Sequence, residues 1–130
     1  MARVTGIGGV FFKADDPEKL YQWYEKHLGI KREHGYVSFQ WRDDDVEEGC
    51  TTWSIFRKQS DYFSPSVSPL MINYRVDDLD GLLNAMQADG VAIEKREDSD
   101  YGCFAWVMDP EGNKIELWEP PRKSKETPKA

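Results

Sequence analysis

The spacing of hydrophobic positions changes along the chain and predicts two helices among short strands. In residues 15–29, apolar and aromatic positions recur three and four residues apart, as on one face of a helix. Asp16 suits the N-cap, Pro17 suits the first helical position, and Gly29 can supply the left-handed residue that ends the helix. The positions on the predicted buried face are Leu20, Trp23, Tyr24, His27 and Leu28.

The rest of the first half favours strands. Residues 4–14 are glycine-rich and then apolar, and residues 36–41 alternate between apolar and polar side chains, so each predicts a strand. A further strand is predicted at 50–57, after an acidic loop at 42–49. Residues 59–69 contain Ser and Pro at positions that interrupt regular structure, and therefore predict a linker.

The second half repeats this order at an offset of 61 residues, the separation of Asp16 and Asp77. A helix is predicted at 77–90, because Leu79, Leu82, Leu83 and Met86 recur at helical spacing. Strands are predicted at 70–76, 91–97, 101–108 and 113–119. We interpret each half as a β-α-β-β-β module, with module one at about 4–58 and module two at about 70–119. All four strands are assigned in module two, and three of the four are assigned in module one. Because one helix covers only one face of a sheet, we expect the modules to pair and enclose a cleft in an α+β fold.

The stretch DPEGN at 109–113 predicts a tight turn between the last two strands. Pro110 presets the first turn dihedral, Gly112 suits the left-handed position, and Asp109 can accept hydrogen bonds from turn N–H groups. If Asp109 faces Asn113, one sheet face receives Phe104, Trp106, Met108, Lys114, Glu116 and Trp118. The other face receives Cys103, Ala105, Val107, Ile115 and Leu117, a small aliphatic set that suits packing under helices.

Charge and composition exclude several functional classes. The chain has 130 residues, a formal net charge of −7 and a pI of about 4.8, which argues against a nucleic-acid partner. The basic residues of 121–130 predict a flexible tail. No apolar run reaches the roughly 20 residues of a membrane span. Cys50 and Cys103 lack CxxC spacing, which favours reduced thiols and a cytoplasmic location.

Together, the paired modules, the sequence DPEKLYQWYEKHLGI and the sequence DPEGNKIELWEP resemble the vicinal oxygen chelate superfamily. This superfamily includes glyoxalase I, extradiol dioxygenases and the fosfomycin- and bleomycin-resistance proteins. The resemblance covers residues 4 to 120 and implies one glyoxalase-like domain at 1–120, of the glyoxalase/bleomycin resistance/dihydroxybiphenyl dioxygenase-like fold. In that fold, curved mixed sheets form a U-shaped cleft. It also implies a homodimer.

The resemblance also allows the metal ligands of the family to be placed on this sequence. The last-strand ligand falls on Glu116, which has a suitable side chain. The other positions fall near Gly9, near Met71 and around Trp53 to Ile55, and Gly, Met and Trp side chains do not supply the nitrogen or oxygen that such metals require. One carboxylate does not make a metal site, so we expect no metal centre and no cofactor.

Strand alternation assigns the predicted cleft its lining. The expected ligand-binding residues are Phe11, Trp53, Met71, Asn73, Arg75, Phe104, Trp106 and Trp118. Glu116 is the candidate catalytic residue, because a carboxylate against aromatic rings can act as a general acid or base. It could instead bind a cationic ligand, or pair with Arg75 or Lys114 as a structural remnant of the family fold.

Three functions are compatible with this site. The first is a metal-independent protein that binds an aromatic or cationic small molecule, like the bleomycin-resistance members. The second is an enzyme, either a lyase or a dioxygenase of the same superfamily, with a degenerate or displaced metal site that uses Glu116. The third is a structural or regulatory module whose cleft is closed by tryptophan side chains.

Overall fold

The computed structural model describes residues 10, 12, 14–33, 35–39, 51–52 and 54–121. In this part of the chain there are two helices and four strands. They are α1 (Pro17–Leu28), β1 (Ile72–Arg75), α2 (Leu79–Ala88), β2 (Ile93–Ser99), β3 (Gly102–Met108) and β4 (Lys114–Glu119). Phe11, Trp53, the acidic loop, residues 122–130 of the predicted tail and most of the first predicted strand lie outside the described residues.

Side-chain and backbone caps fix the ends of both helices. The Asp16 carboxylate accepts from the Lys19 N–H at 3.1 Å, and Gly29 ends α1 with a φ of 68°. The Asp78 carboxylate accepts from the Gly81 N–H at 3.1 Å, so α2 begins at Leu79. Asp78 therefore caps α2, and the predicted span of 77–90 was slightly too long at each end.

The four strands form one mixed sheet in the order β1-β4-β3-β2. β1 pairs with β4 in parallel, whereas β3 pairs antiparallel with both β2 and β4. The chain therefore runs from β1 through α2 to the far edge of the sheet and returns through two antiparallel hairpins. This is the β-α-β-β-β order predicted for module two, and it confirms the α+β class.

The β3–β4 hairpin has the register that the turn sequence predicts. The Asp109 N–H donates to the Asn113 carbonyl oxygen at 2.9 Å, and Trp106 pairs with Glu116 across the strands. Asp109 is buried, and its carboxylate accepts from the backbone N–H groups of Glu111 and Asn113 at 2.9 and 2.8 Å. The turn residues therefore supply their own hydrogen-bond partners, as a tight turn requires.

Both helices pack on the aliphatic face of this sheet. The core contains Ala105, Val107, Ile115 and Leu117 from the strands, with Leu20, Tyr24, Leu79, Leu83 and Met86 from the helices. The predicted division of the two faces is therefore confirmed for the aliphatic side. Because α1 belongs to module one, the core of module two is completed by a helix from the other half of the chain.

The DPEGN turn also holds the start and the middle of α1. The Tyr24 hydroxyl donates to the Asp109 carboxylate at 2.8 Å, and burial raises the pKa of this phenol. The Glu111 carboxylate accepts from the backbone N–H groups of Asp15 and Asp16 at 3.2 and 3.3 Å. A carboxylate at this end of a helix also interacts favourably with the helix dipole. One turn therefore fixes both the hairpin and the helix above it.

Two strands predicted in the first half are not found in their described residues. Residues 36–39 contribute only an isolated bridge between Tyr36 and Glu33, and residues 51–52 and 54–57 lie outside any strand. Phe39 and Ile55 are exposed. Alternation alone does not create a strand, because its N–H and C=O groups need a paired neighbour and its apolar face needs a core.

Replacing Tyr24 by phenylalanine removes one donor from the buried Asp109 carboxylate while keeping the ring in the core. We expect Tyr24→Phe to lower the free energy of unfolding by about 1–3 kcal/mol, the range for a buried hydrogen bond to a charged group. Urea denaturation at neutral pH measures this change.

Tyr21→Phe is the matched control, because the Tyr21 hydroxyl makes a long, exposed hydrogen bond of 3.4 Å to the Gly35 carbonyl oxygen. This control should change the free energy of unfolding by no more than about 0.5 kcal/mol. Equal effects of the two variants would contradict the proposed anchoring of α1 by Asp109.

Candidate functional site

The face of the sheet opposite the helices carries an aromatic strip formed by Trp106, Phe104 and Trp118. The Phe104 ring lies 6.1 Å from the ring of Trp106 and 6.1 Å from that of Trp118, with an interplanar angle of 13° in both cases. Phe104 and Trp118 are cross-strand partners in the β3–β4 hairpin. The register that buries the aliphatic face therefore aligns these three rings on the other face.

Glu116 lies beside this strip, and three side chains donate hydrogen bonds to its carboxylate. The Tyr62 hydroxyl donates to Oε1 at 2.7 Å, and the Trp106 indole N–H donates to the same oxygen at 3.0 Å. The Asn73 amide donates to Oε2 at 2.7 Å. The Glu116 residue is only 9% exposed. A carboxylate offers about four acceptor positions, so most of the acceptor capacity of Glu116 is already used inside the protein.

Two of these donors come from the strands on either side of β4. Asn73 pairs with Glu116 between β1 and β4, and Trp106 pairs with Glu116 between β3 and β4. All three groups are donors, so they match an ionised carboxylate, which can only accept. The predicted site residues Asn73, Trp106 and Glu116 are thus brought together by strand register.

The third donor, Tyr62, comes from the stretch predicted as a linker. Its ring meets the Trp106 ring edge to face, with centroids 6.0 Å apart and planes at 89°, and it stacks on Phe56 at 5.2 Å. The Lys114 ammonium group donates to the Tyr62 carbonyl oxygen at 2.6 Å. Burial and the hydrogen bond to Glu116 both raise the pKa of the Tyr62 phenol.

Tyr62 was not predicted as a site residue, because the Ser and Pro residues of 59–69 indicated a linker. The adjacent aromatic residues Tyr62 and Phe63 were the available signal, since a solvated linker has little use for two aromatic side chains. Their contact with the sheet depends on tertiary packing and has no periodic pattern.

Cationic side chains surround the aromatic strip. The Arg75 guanidinium lies 5.0 Å from the centre of the Trp118 ring. The ammonium groups of Lys95 and Lys114 lie 5.8 and 5.9 Å from the centre of the Trp106 ring. These distances are within the range of cation–π attraction. Lys95, which is not among the predicted site residues, also forms an ion pair with Glu97 at 3.4 Å.

Of the remaining predicted site residues, the structure describes Met71 but not Phe11 or Trp53. Met71 is partly buried and immediately precedes β1, two residues before Asn73. The prediction that Lys114 pairs with Glu116 does not match the hydrogen bond that its ammonium group donates to Tyr62. The roles of Phe11 and Trp53 stay predictions, because both lie outside the described part of the chain.

The described residues do not fit a divalent metal. Over this part of the chain, no group of three or more His, Cys, Asp and Glu side chains could hold an ion. At Glu116, a metal would have to compete with three donors for the carboxylate oxygens. His27 is on α1, where its ring lies 4.9 Å from Trp23 and its Nε2 lies 3.4 Å from the Asp89 carboxylate. Burial raises the pKa of the Cys103 thiol, which disfavours a nucleophilic thiolate there.

Two cavities lie away from the Glu116 carboxylate. One, of about 390 Å³, lies near the C-terminal ends of the helices and is lined by Lys26, His27, Ala85, Met86, Ala88 and Asp89. The other, of about 170 Å³, lies near the α1–hairpin junction and includes Phe12, Tyr24 and Asn113 in its lining. Neither is lined by Glu116. Tyr62 covers part of that carboxylate, so the aromatic face is partly occupied by the chain itself.

Comparison with known proteins gives a family match over most of the chain. The model of the Glyoxalase/Bleomycin resistance protein/Dioxygenase superfamily matches residues 6–117. No functionally curated protein is significantly similar to the chain in sequence. Neither described helix is long and apolar enough to cross a membrane.

Comparison with solved structures gives two matches over most of the chain at low sequence identity and one match over a shorter stretch. The antibiotic-binding protein TnmS3 from Streptomyces sp. CB03234 is 21% identical, with a TM-score of 0.59, over 93% of this chain and 100% of that chain. Lactoylglutathione lyase from Agrobacterium tumefaciens is 15% identical, with a TM-score of 0.52, over 88% and 96%. A glyoxalase/bleomycin resistance protein from Streptomyces sp. CB03234 is 33% identical, but over only 38% of this chain and 45% of that chain, with a TM-score of 0.36.

The raised pKa of Tyr62 predicts a pH dependence of stability. In the unfolded chain the phenol ionises near pH 10, whereas in the folded chain it stays neutral to higher pH. The unfolded state therefore loses this proton first, and the stability that Tyr62 contributes is lost as the pH rises above about 10. We expect the difference in unfolding free energy between wild type and Tyr62→Phe to be constant up to pH 9 and to shrink towards pH 11.

Urea denaturation of both proteins at several pH values measures this difference. Comparing the two proteins cancels the ionisation of the other tyrosines, including Tyr24. A difference that stays constant from pH 9 to 11 would show that burial and the hydrogen bond to Glu116 do not hold Tyr62 in its neutral form.

Proposed function

Because this chain belongs to the Glyoxalase/Bleomycin resistance protein/Dioxygenase superfamily, we propose that it binds an aromatic small molecule on the aromatic strip without using a metal ion. The observation that carries this proposal is the set of three donors on the Glu116 carboxylate. The sequence resemblance assigns Glu116 to the position of a family metal ligand, but here its oxygens accept hydrogen bonds from Tyr62, Asn73 and Trp106.

The hydrogen bonds around Glu116 support a role that does not involve a metal. A metal-bound carboxylate has to direct its lone pairs at the ion, whereas Glu116 directs them at O–H and N–H groups of the protein. The resemblance places the other ligand positions near Gly9, near Met71 and around Trp53 to Ile55, and the Gly, Met and Trp side chains have no suitable donor atoms. The side chain is therefore better suited to hold neighbouring groups in place than to bind a cation.

The aromatic strip supports the choice of ligand. Phe104 and Trp118 are partly exposed, so an aromatic molecule can stack on them. The cationic groups of Arg75, Lys95 and Lys114 lie 5.0–5.9 Å from the ring centres of Trp118 and Trp106 and favour an electron-rich ligand over a cationic one. Of the aromatic and cationic ligands considered from the sequence, this favours the aromatic one, because the oxygens of Glu116 already accept hydrogen bonds from Tyr62, Asn73 and Trp106.

The fold is compatible with binding and with catalysis. The antibiotic-binding protein TnmS3 has this fold, and so does the lactoylglutathione lyase. We favour binding because the Glu116 carboxylate is engaged by three protein donors, which leaves little capacity for acid–base work.

The proposed setting is a cytoplasmic homodimer. Exposed apolar side chains, including Phe12, Phe56 and Leu70, support a second copy, and a sizing measurement tests it.

Metal content tests the first part of the proposal. We expect protein purified without chelator to contain far less than one equivalent of Zn, Ni, Mn or Fe per chain, measured by elemental analysis. Glu116→Gln should leave this low content unchanged. A stoichiometric metal that is lost in Glu116→Gln would contradict the proposal and favour a lyase or dioxygenase.

Removing the central ring of the strip tests the second part. Phe104→Leu should weaken the binding of a bicyclic aromatic probe such as 2-naphthol about 3- to 10-fold, because aromatic pairs contribute about 0.5–1.5 kcal/mol beyond burial. Fluorescence titration or calorimetry measures the affinity. Tyr36→Leu is the control, since this exposed side chain lies outside the strip. Equal affinity of both variants and wild type would place the ligand elsewhere.

A further inference from the structure

We propose that the ligand carries an aromatic hydroxyl group, and that this group takes the place on Glu116 that the Tyr62 phenol fills in this structure. The inference rests on the proposed binding function and specifies the chemical class of the ligand. Tyr62 is then an internal occupant of the site, supplied by the segment 59–69, and the ligand competes with it.

The contacts of Tyr62 are those that a bound phenol would need. Its O–H donates to Glu116 at 2.7 Å, and its ring is held between the edge-to-face contact with Trp106 and the stacking contact with Phe56. The Lys114 ammonium group lies 5.6 Å from the centre of the same ring. An acceptor, two aromatic surfaces and a nearby cation therefore converge on one phenolic ring.

The acceptor lies on paired strands of the sheet, whereas its occupant lies in a segment of turns outside the sheet. Glu116, Asn73 and Trp106 lie on three adjacent strands. Asn73 and Trp106 therefore still hold the Glu116 carboxylate in place when Tyr62 leaves. Tyr62 lies in a segment of turns and is 37% exposed. The Tyr62 carbonyl oxygen accepts a hydrogen bond from the Lys114 ammonium group. Because the lysine side chain is flexible, this hydrogen bond can break when Tyr62 leaves.

Departure of Tyr62 leaves an acceptor position on Oε1 that needs a new donor. A buried acceptor without a partner is unfavourable, so a ligand with a hydroxyl group is preferred over one without. A phenolate is disfavoured, because it would place a second negative charge beside Glu116. The geometry therefore selects a neutral aromatic hydroxyl compound.

A matched pair of probes tests this selection. 2-Naphthol and 2-methoxynaphthalene have the same ring system, but only 2-naphthol can donate to Glu116. We expect wild type to bind 2-naphthol about tenfold more tightly, as one hydrogen bond to a charged acceptor implies. The preference should shrink in Glu116→Gln, whose neutral side chain is a weaker acceptor, provided circular dichroism shows an unchanged fold.

Tyr62→Phe should raise the affinity for the probes, whereas a change of an ordinary lining residue lowers it. Without its hydroxyl, the internal ring loses its bond to Glu116 and is displaced more easily. Both probes should therefore bind about 5- to 10-fold more tightly to Tyr62→Phe than to wild type. Tyr36→Phe, an exposed tyrosine elsewhere, should leave both affinities unchanged.

The outcomes separate the two proposals. Equal binding of both probes to wild type, or weaker binding to Tyr62→Phe, would overturn the competition with Tyr62 while leaving aromatic binding intact. No binding of either probe to wild type or to Tyr62→Phe at millimolar concentration would overturn the binding function as well.

Discussion

The register of the β3–β4 hairpin is the constraint on which the rest of the structure depends. Because side chains alternate across a strand, a slip of one residue would exchange the two faces of the sheet. Asp109 fixes the register by binding the N–H groups of its own turn. The aliphatic residues then meet the helices, and the aromatic strip lies on the opposite face with Glu116.

The same turn connects the two halves of the chain. Asp109 accepts the Tyr24 hydroxyl, and Glu111 accepts the first backbone N–H groups at the start of α1. The core between α1, α2 and the sheet is therefore shared by both sequence modules. Site geometry and helix packing are consequences of one local feature of the sequence.

Local patterns predicted the helices, the second-module strands and the hairpin register, because caps, turn residues and alternation act over a few positions. They placed Asn73, Trp106 and Glu116 on one face for the same reason. They did not find Tyr62, since its position depends on a segment that packs across the sheet and has no periodicity. The predicted strands at 36–41 and 50–57 failed in their described residues, where alternation had no paired neighbour to support it.

The donors around Glu116 also constrain how this sequence can change over evolutionary time. A lineage that acquired a metal at Glu116 would need new ligands and would also have to remove Tyr62, Asn73 and Trp106 from its oxygens. Each single loss leaves a buried carboxylate with fewer partners and destabilises the fold before any ion is gained. Related sequences can therefore change more easily in the segment that contains Tyr62 than in the strands that hold the Glu116 carboxylate.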